Sequence, residues 1–142
     1  MPRLAILNMI IGFIIVLFSA SAGAFVALEM TQSFLNEPDQ INGWFLTLSR
    51  SAHGHFNLFG YLHILFGLSL NYSLLSPRAK AVQTEALSLG SIAMGPLMIL
   101  RAFEEPSMSP TPLAITVGLF LSVALLAIGA HVLGLALKFA RA

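Results

Sequence analysis

Four long runs of apolar residues, separated by short polar segments, set the pattern of this chain. The runs cover about residues 4–28, 49–75, 81–103 and 112–139. Each run exceeds the roughly 20 apolar residues that a helix needs to cross the hydrocarbon core of a bilayer. Each break contains a proline, which is a typical signal of a helix boundary: Pro38, Pro77 and Pro106. The pattern predicts an all-α integral membrane four-helix bundle that forms one domain over residues 1–142.

The composition supports the same interpretation and excludes several functions. Hydrophobic residues make up 57% of the chain and charged residues only 9%, whereas a typical soluble domain has about 25% charged residues. The net charge of +1 provides no basic surface for a nucleic acid. Cysteine is absent, which excludes disulfide scaffolds and thiolate metal sites. We therefore expect the lipid bilayer to surround this chain.

The basic residues predict an orientation in the membrane. Five of the seven lie at the N-terminus, in the second connection and at the C-terminus: Arg3, Arg78, Lys80, Lys138 and Arg141. Because basic residues stay on the cytoplasmic side, we expect a multi-pass protein of the cytoplasmic (inner) membrane with both termini in the cytoplasm. The first run begins like a cleavable signal peptide, but its apolar character continues to Leu28, so we expect a retained first span.

The first connection is the only long one. In residues 31–48, Ile41, Trp44, Phe45 and Leu48 recur at helical spacing, and tryptophan favours the membrane interface. This pattern predicts a short amphipathic helix on the outer face.

All four histidines fall within the predicted spans, where an ionisable side chain indicates a function by default. His53 and Asn57 share one face of the second helix with small residues, and Arg50 and His63 lie on either side of that face. His55 points about 160° away from His53 at 100° per residue. A regular helix would therefore not use His53 and His55 as a chelating pair.

Depth in the membrane limits which side chains can share a ligand. His63 lies about 15 Å deeper than His53, and His131 lies within about 6 Å of the depth of His63. His53 and His131 differ by about 20 Å, which is too far for both to bind one iron. A second ligand beside His53 would come from the third span, where Met98 has nearly the right depth, from the first connection, or from a partner chain. Small residues beside His131 leave room for a flat cofactor or for close helix packing.

Two arginines approach the outer face near His53. Arg50 and Arg101 could pair with the propionates of a haem, because guanidinium matches carboxylate with two hydrogen bonds. The alternative is that they pair with Glu29, with Glu104 or with lipid phosphate.

Residues 50–60, Arg-Ser-Ala-His-Gly-His-Phe-Asn-Leu-Phe-Gly, resemble the haem-ligand helix of the haem–copper oxidase subunit I superfamily and of the related NnrS-like haem proteins. The resemblance implies that His53 is an axial ligand of a b-type haem and that Arg50 lies near its propionates. It covers about one helix. Four spans do not supply the large helical bundle of that superfamily, and no set of histidines matches its copper site. Oxygen or nitric oxide reduction is therefore not implied.

Several functions stay open at this point. The first is a small membrane protein that binds haem b for electron transfer or gas sensing, or a haem-bearing subunit of a respiratory-type complex. The second is a non-catalytic accessory subunit that packs against other membrane subunits or a second copy. The third is a metal or quinone site at the outer face, made by His53, His55 and Glu29 or Glu104. The fourth is a transporter with a relay between His63 and His131. Neither a thiol nor an acidic pair lies in the spans, so we do not expect the chain to be an enzyme on its own.

Overall fold

The computed structural model describes residues 3–36 and 43–141, and these residues form four helical segments. Helix α1 covers Arg3–Asn36, and α2 covers Trp44–Ser69 and ends in a 3-10 turn at Leu70–Tyr72. The third segment consists of α3 (Pro77–Ile92), a π-helical turn (Ala93–Leu97) and α4 (Met98–Ala102). Helix α5 covers Pro112–Phe139. The described residues contain no β-strand, so the predicted all-α fold with four helical segments is confirmed.

Two of the helices begin with the same local sequence, a hydroxyl residue followed by proline. The Ser76 side chain accepts a hydrogen bond from the backbone N–H of Ala79 at 3.2 Å, and Thr111 accepts one from Ala114 at 3.2 Å. These side chains satisfy backbone donors that have no partner in the first turn of a helix. Proline fits the next position because its fixed φ is helical and its missing N–H is not needed there.

The π-helical turn lies where the sequence places a proline in the third apolar run. Pro96 has no backbone N–H and therefore cannot complete the regular hydrogen-bond ladder. The third segment is accordingly π-helical rather than α-helical over Ala93–Leu97. Gly95, directly before it, packs against the ring of Phe56, and any side chain at this position would collide with that ring.

Glycines let α1 pack closely on α2. A methyl group at Gly12 would lie 2.6 Å from the carbonyl oxygen of Gly60, and one at Gly67 would lie 2.6 Å from that of Ala5. Such contacts between small residues are typical of helix pairs in membranes. Helices α2, α3 and α5 and the π-helical turn meet in a core that includes Phe59, Phe66, Leu87, Met94 and Val117.

The helix boundaries differ from the apolar runs at several ends. Helix α1 continues to Asn36 rather than ending near residue 28, since its polar residues beyond that point remain compatible with a helix. Helix α2 begins at Trp44, so Trp44, Phe45 and Leu48 belong to its first turns and not to a separate amphipathic helix. Ile41, which was part of that prediction, lies outside the described residues. The third segment begins at Pro77, four residues before the apolar run, because Ser76 caps it there.

Two of the described helices, α1 and α5, are long and apolar enough to cross a membrane. Their large apolar side chains face outward in many places, as with Phe13 (63% exposed) and Leu126 (74% exposed). Helices α2 and α3 are more polar, since α2 carries Arg50 and three histidines and α3 begins with Arg78 and Lys80. A pair of helices with exposed apolar surfaces is compatible with a membrane protein.

Candidate ligand-binding site at His53

His53 lies on α2, where its ring contacts α1. Its Nδ1 lies 3.2 Å from the hydroxyl oxygen of Ser19, and the Ser19 hydroxyl donates to the backbone carbonyl of His53 at 3.0 Å. A serine hydroxyl has one hydrogen, so Ser19 must accept the second hydrogen bond from Nδ1–H. This assigns the proton of the imidazole to Nδ1. The lone pair of Nε2 has no hydrogen-bond partner among the described residues.

Gly23, one turn after Ser19 on α1, provides the space for this ring. A methyl group at Gly23 would lie 2.5 Å from Cε1 and 2.9 Å from Nε2 of His53. Both distances are too short for non-bonded atoms, so glycine is required for the observed ring position. Ser19 therefore orients the imidazole, and Gly23 lets its Nε2 edge lie against α1.

A cavity of about 450 Å³, which we call the His53 cavity, lies beside this ring. Its walls come from α1, α2, the π-helical turn and α4. They are mainly apolar and include Phe18, Ala22, Val26, Ala52, Phe56 and Ile99. Its volume falls in the usual range for a small-molecule or cofactor site, and apolar walls with a few polar groups are typical of such sites.

Ser49 also lines this cavity, with its hydroxyl oxygen buried away from the open space. It lies on the same face of α2 as His53, one turn earlier, and only 3% of it is exposed. The hydroxyl oxygen of Ser49 has no hydrogen-bond partner among the described residues. A buried polar group without a partner costs about 1–3 kcal/mol.

The structure places the two arginines differently. Arg50 is exposed on α2, close in sequence to both His53 and Ser49. Arg101 is buried, and its Nη1 forms an ion pair with Glu104 at 2.6 Å. Glu104 also accepts a hydrogen bond from Thr111 at 2.8 Å, and the guanidinium of Arg101 lies 5.0 Å from the centre of the Trp44 ring. The alternative in which Arg101 pairs with Glu104 is confirmed.

Met98, His55 and Asn57 are not among the residues that line the His53 cavity. Met98 packs against the hydrophobic core. His55 is exposed, and its Nδ1–H donates to the backbone carbonyl of Ser51 at 2.8 Å. Asn57 is half-buried, and its side-chain oxygen has no hydrogen-bond partner among the described residues. The described part of the chain contains no group of three histidines or acidic residues that could hold a metal ion, so the metal site predicted at His53 and His55 has no support.

His63 belongs to a buried network that joins three helices. Its Nδ1 lies 3.0 Å from the side-chain oxygen of Asn8 on α1, whose amide nitrogen donates to Thr84 on α3 at 2.8 Å and to the backbone carbonyl of Leu4. Thr84 in turn donates to the backbone carbonyl of Lys80. The direction of these bonds assigns the proton of His63 to Nδ1 and leaves Nε2 without a partner among the described residues.

His131 joins α5 to α2 in a similar way. Its Nε2 lies 2.8 Å from the Ser69 hydroxyl, which donates to the backbone carbonyl of Leu65 at 2.7 Å. His131 is therefore the donor through Nε2–H, and its ring packs against Phe66 with centroids 4.1 Å apart. Neither His63 nor His131 lines the His53 cavity, so the structure brings none of the other histidines to that site.

The sequence indicated part of this site. Ser19 and Gly23 lie on one strip of α1 with Asn8 and Gly12, and such a strip predicts helix packing. The helical period alone does not predict which residues of α2 Ser19 and Gly23 contact. No sequence pattern marked Ser49 as a candidate site residue. Searches of protein-family models, of curated proteins and of solved structures found no match to this chain.

Proposed function

We propose that this chain is a four-pass protein of the cytoplasmic membrane with both termini in the cytoplasm. The outward apolar side chains of α1 and α5 support membrane insertion. The position of Arg78 and Lys80 near the start of α3, and of Lys138 in the last turn of α5, supports the orientation by the distribution of positive charge. In this arrangement α2 and the third segment also cross the membrane, with their polar residues partly turned toward other helices.

Within this membrane protein, we propose that His53 binds a haem b through Nε2. The observation that carries the proposal is the tautomer of His53: Nδ1–H is held by Ser19 while the Nε2 lone pair has no described partner, beside a mainly apolar cavity. A histidine that ligates a metal usually donates its other ring N–H to an oxygen acceptor, which fixes the orientation of the ring. Ser19 would thus hold the imidazole of His53, and Nε2 of His53 would hold the haem.

The other residues of the site would have separate roles in binding the haem. Phe18, Phe56 and Ile99 would exclude water from the flat apolar faces of the cofactor. Arg50 is exposed beside the site and would pair with propionate, whereas Arg101 is already paired with Glu104. A bound haem would supply one-electron redox chemistry or a binding position for a small gas. The chain would serve on its own or as the haem-bearing subunit of a larger complex.

An absorption spectrum of the detergent-purified protein, oxidised and then reduced with dithionite, tests this proposal. The protein is expressed with added haem precursor, so that the supply of haem does not limit loading. We expect a Soret band that shifts and sharpens on reduction. A flat visible spectrum from protein whose circular dichroism shows intact helices would reject haem binding.

A second candidate is a non-catalytic subunit that packs against other membrane proteins or a second copy. The observation that favours it is that His63 and His131 both join helices through hydrogen bonds, so much of the buried polarity of the chain is structural. Cross-linking in native membranes followed by purification would test it. A defined partner chain, or a defined homo-oligomer, would support this role, and a monomer alone would contradict it.

A further inference from the structure

We propose that His53 is the only protein ligand of the haem iron, so that the sixth coordination position is open and takes a neutral diatomic gas. This inference rests on the proposed haem function and names the class of molecule that the site would take. A haem with two strong protein ligands is suited to electron transfer, whereas a haem with one such ligand has a position for a gas. The residues that line the His53 cavity decide between these two forms.

Apart from His53, the described residues that line this cavity offer no strong ligand for iron. Most have hydrocarbon side chains, and Gly95 has no side chain. Two are serines, but the Ser19 hydroxyl donates to the backbone carbonyl of His53 at 3.0 Å, and the Ser49 hydroxyl is buried away from the open space. Imidazole, thioether and thiolate are the side chains that most often hold haem iron. Among the lining residues, His53 alone carries one of these groups.

The third segment is one source from which the sequence predicts a second ligand, and its described residues bring no methionine to the cavity. Met94 belongs to the hydrophobic core, and Met98 packs against that core. The π-helical turn and α4 instead contribute Pro96, Ile99 and Leu100 to the wall of the cavity. This wall therefore consists of hydrocarbon groups, which do not coordinate iron.

The same walls favour a small neutral gas over an anion. Phe18 and Leu100, which line the cavity, are 66% and 55% exposed, so the cavity reaches the outer surface of the bundle. In the proposed topology this surface contacts lipid, in which apolar gases dissolve, whereas an anion would lose its hydration there. Hydrogen-bond donors beside a haem favour dioxygen, so walls made of hydrocarbon groups favour carbon monoxide or nitric oxide.

The number of iron ligands is measured directly on the haem-loaded protein in detergent, after reduction with dithionite. Resonance Raman spectroscopy distinguishes five-coordinate from six-coordinate ferrous haem. We expect a five-coordinate, high-spin spectrum for the wild type and the same spectrum for Met98→Leu and His55→Ala. These two variants are matched controls, because each removes a possible ligand that does not line the cavity.

Carbon monoxide is then titrated into the reduced protein under anaerobic conditions. We expect one carbon monoxide per haem and a saturable shift of the Soret band. The affinities of the wild type and of both controls should agree within about twofold, because no protein ligand has to leave the iron. The infrared stretching frequency of the bound carbon monoxide should match that of haems without a nearby hydrogen-bond donor.

A six-coordinate, low-spin ferrous spectrum of the wild type would overturn this inference while leaving haem binding intact. Carbon monoxide that leaves the Soret band unchanged would overturn it as well. A wild type that shows no haem spectrum would reject the haem proposal itself, and this inference with it. The two failures are therefore distinguishable in the same sample.

Discussion

At the scale of single residues, the direction of a few hydrogen bonds decides which imidazole nitrogens are available. His131 uses Nε2–H to bond to Ser69, whereas His53 and His63 use Nδ1–H to bond to Ser19 and Asn8. His53 has an unpartnered Nε2 and lines the cavity of about 450 Å³, whereas His131 has an unpartnered Nδ1 and lines a smaller cavity of about 100 Å³. The four histidines are therefore not equivalent, although the sequence places all of them in apolar helices.

Ser19, which also lines the His53 cavity, should affect haem affinity because it holds the imidazole of His53. Replacing it in Ser19→Ala removes the acceptor that fixes the Nδ1–H tautomer of His53, and loss of such a partner lowers metal affinity by about 10-fold to 100-fold. Titration of haemin into haem-free protein measures this effect. The control is Ser21→Ala, whose hydroxyl bonds only to the backbone carbonyl of Leu17. Equal haem affinity in Ser19→Ala and Ser21→Ala would contradict the assigned role.

The absence of a side chain at Gly23 should be required for haem binding by His53. A methyl group in Gly23→Ala would displace the His53 ring, which lies 2.5 Å from the position of that methyl group, so haem affinity should fall. Gly118→Ala is the matched control, because a methyl group there meets no atom within 4 Å. In the control we expect unchanged haem binding and a helix stabilised by about 0.5–1 kcal/mol. If haem titration gives the same affinity for both variants, the ring position inferred here is incorrect.

At the scale of helices, a polar network and a glycine contact surface hold the bundle together. Asn8 on α1 bonds to His63 on α2 and to Thr84 on α3, and it is fully buried. Asn8→Ala leaves the buried Nδ1–H of His63 without an acceptor, so we expect a loss of about 1–3 kcal/mol in the free energy of unfolding. Unfolding in detergent followed by circular dichroism measures it. Asn71→Ala, at an exposed asparagine, should change stability by less than about 0.5 kcal/mol, and an equal loss in both variants would argue against the network.

The helices themselves were largely predictable from the sequence, because apolar runs and prolines are local signals. The third segment begins beside Pro77, and Pro96 loosens it, as its chemistry requires. The end of α1 was not predictable from hydropathy, since a helix need not stop where its apolar residues stop. The pairing of Ser19 with His53 was not predictable either. It depends on the axial register between α1 and α2, which close contacts such as Gly12 with Gly60 determine.

At the scale of the whole molecule, the proposed topology has four membrane crossings. The chain contains no cysteine, so single cysteines can report which side of the membrane a residue occupies. Ser107→Cys, in the connection before α5, should react with a membrane-impermeant maleimide in intact cells. Arg141→Cys, near the C-terminus, should react only after the membrane is permeabilised, because the C-terminus is expected in the cytoplasm. Labelling of both variants in intact cells would contradict this topology.

A haemin titration of three proteins tests most directly whether Nε2 of His53 binds haem. Haem-free wild type, His53→Ala and His55→Ala are compared in the same detergent. His55 is a matched control because it lies on the same helix, two residues away, and outside the cavity. We predict one haem per chain for the wild type and His55→Ala, with affinities within about twofold, and at least about tenfold weaker binding for His53→Ala. Equal affinity and an identical absorption spectrum for His53→Ala and the wild type would contradict the claim.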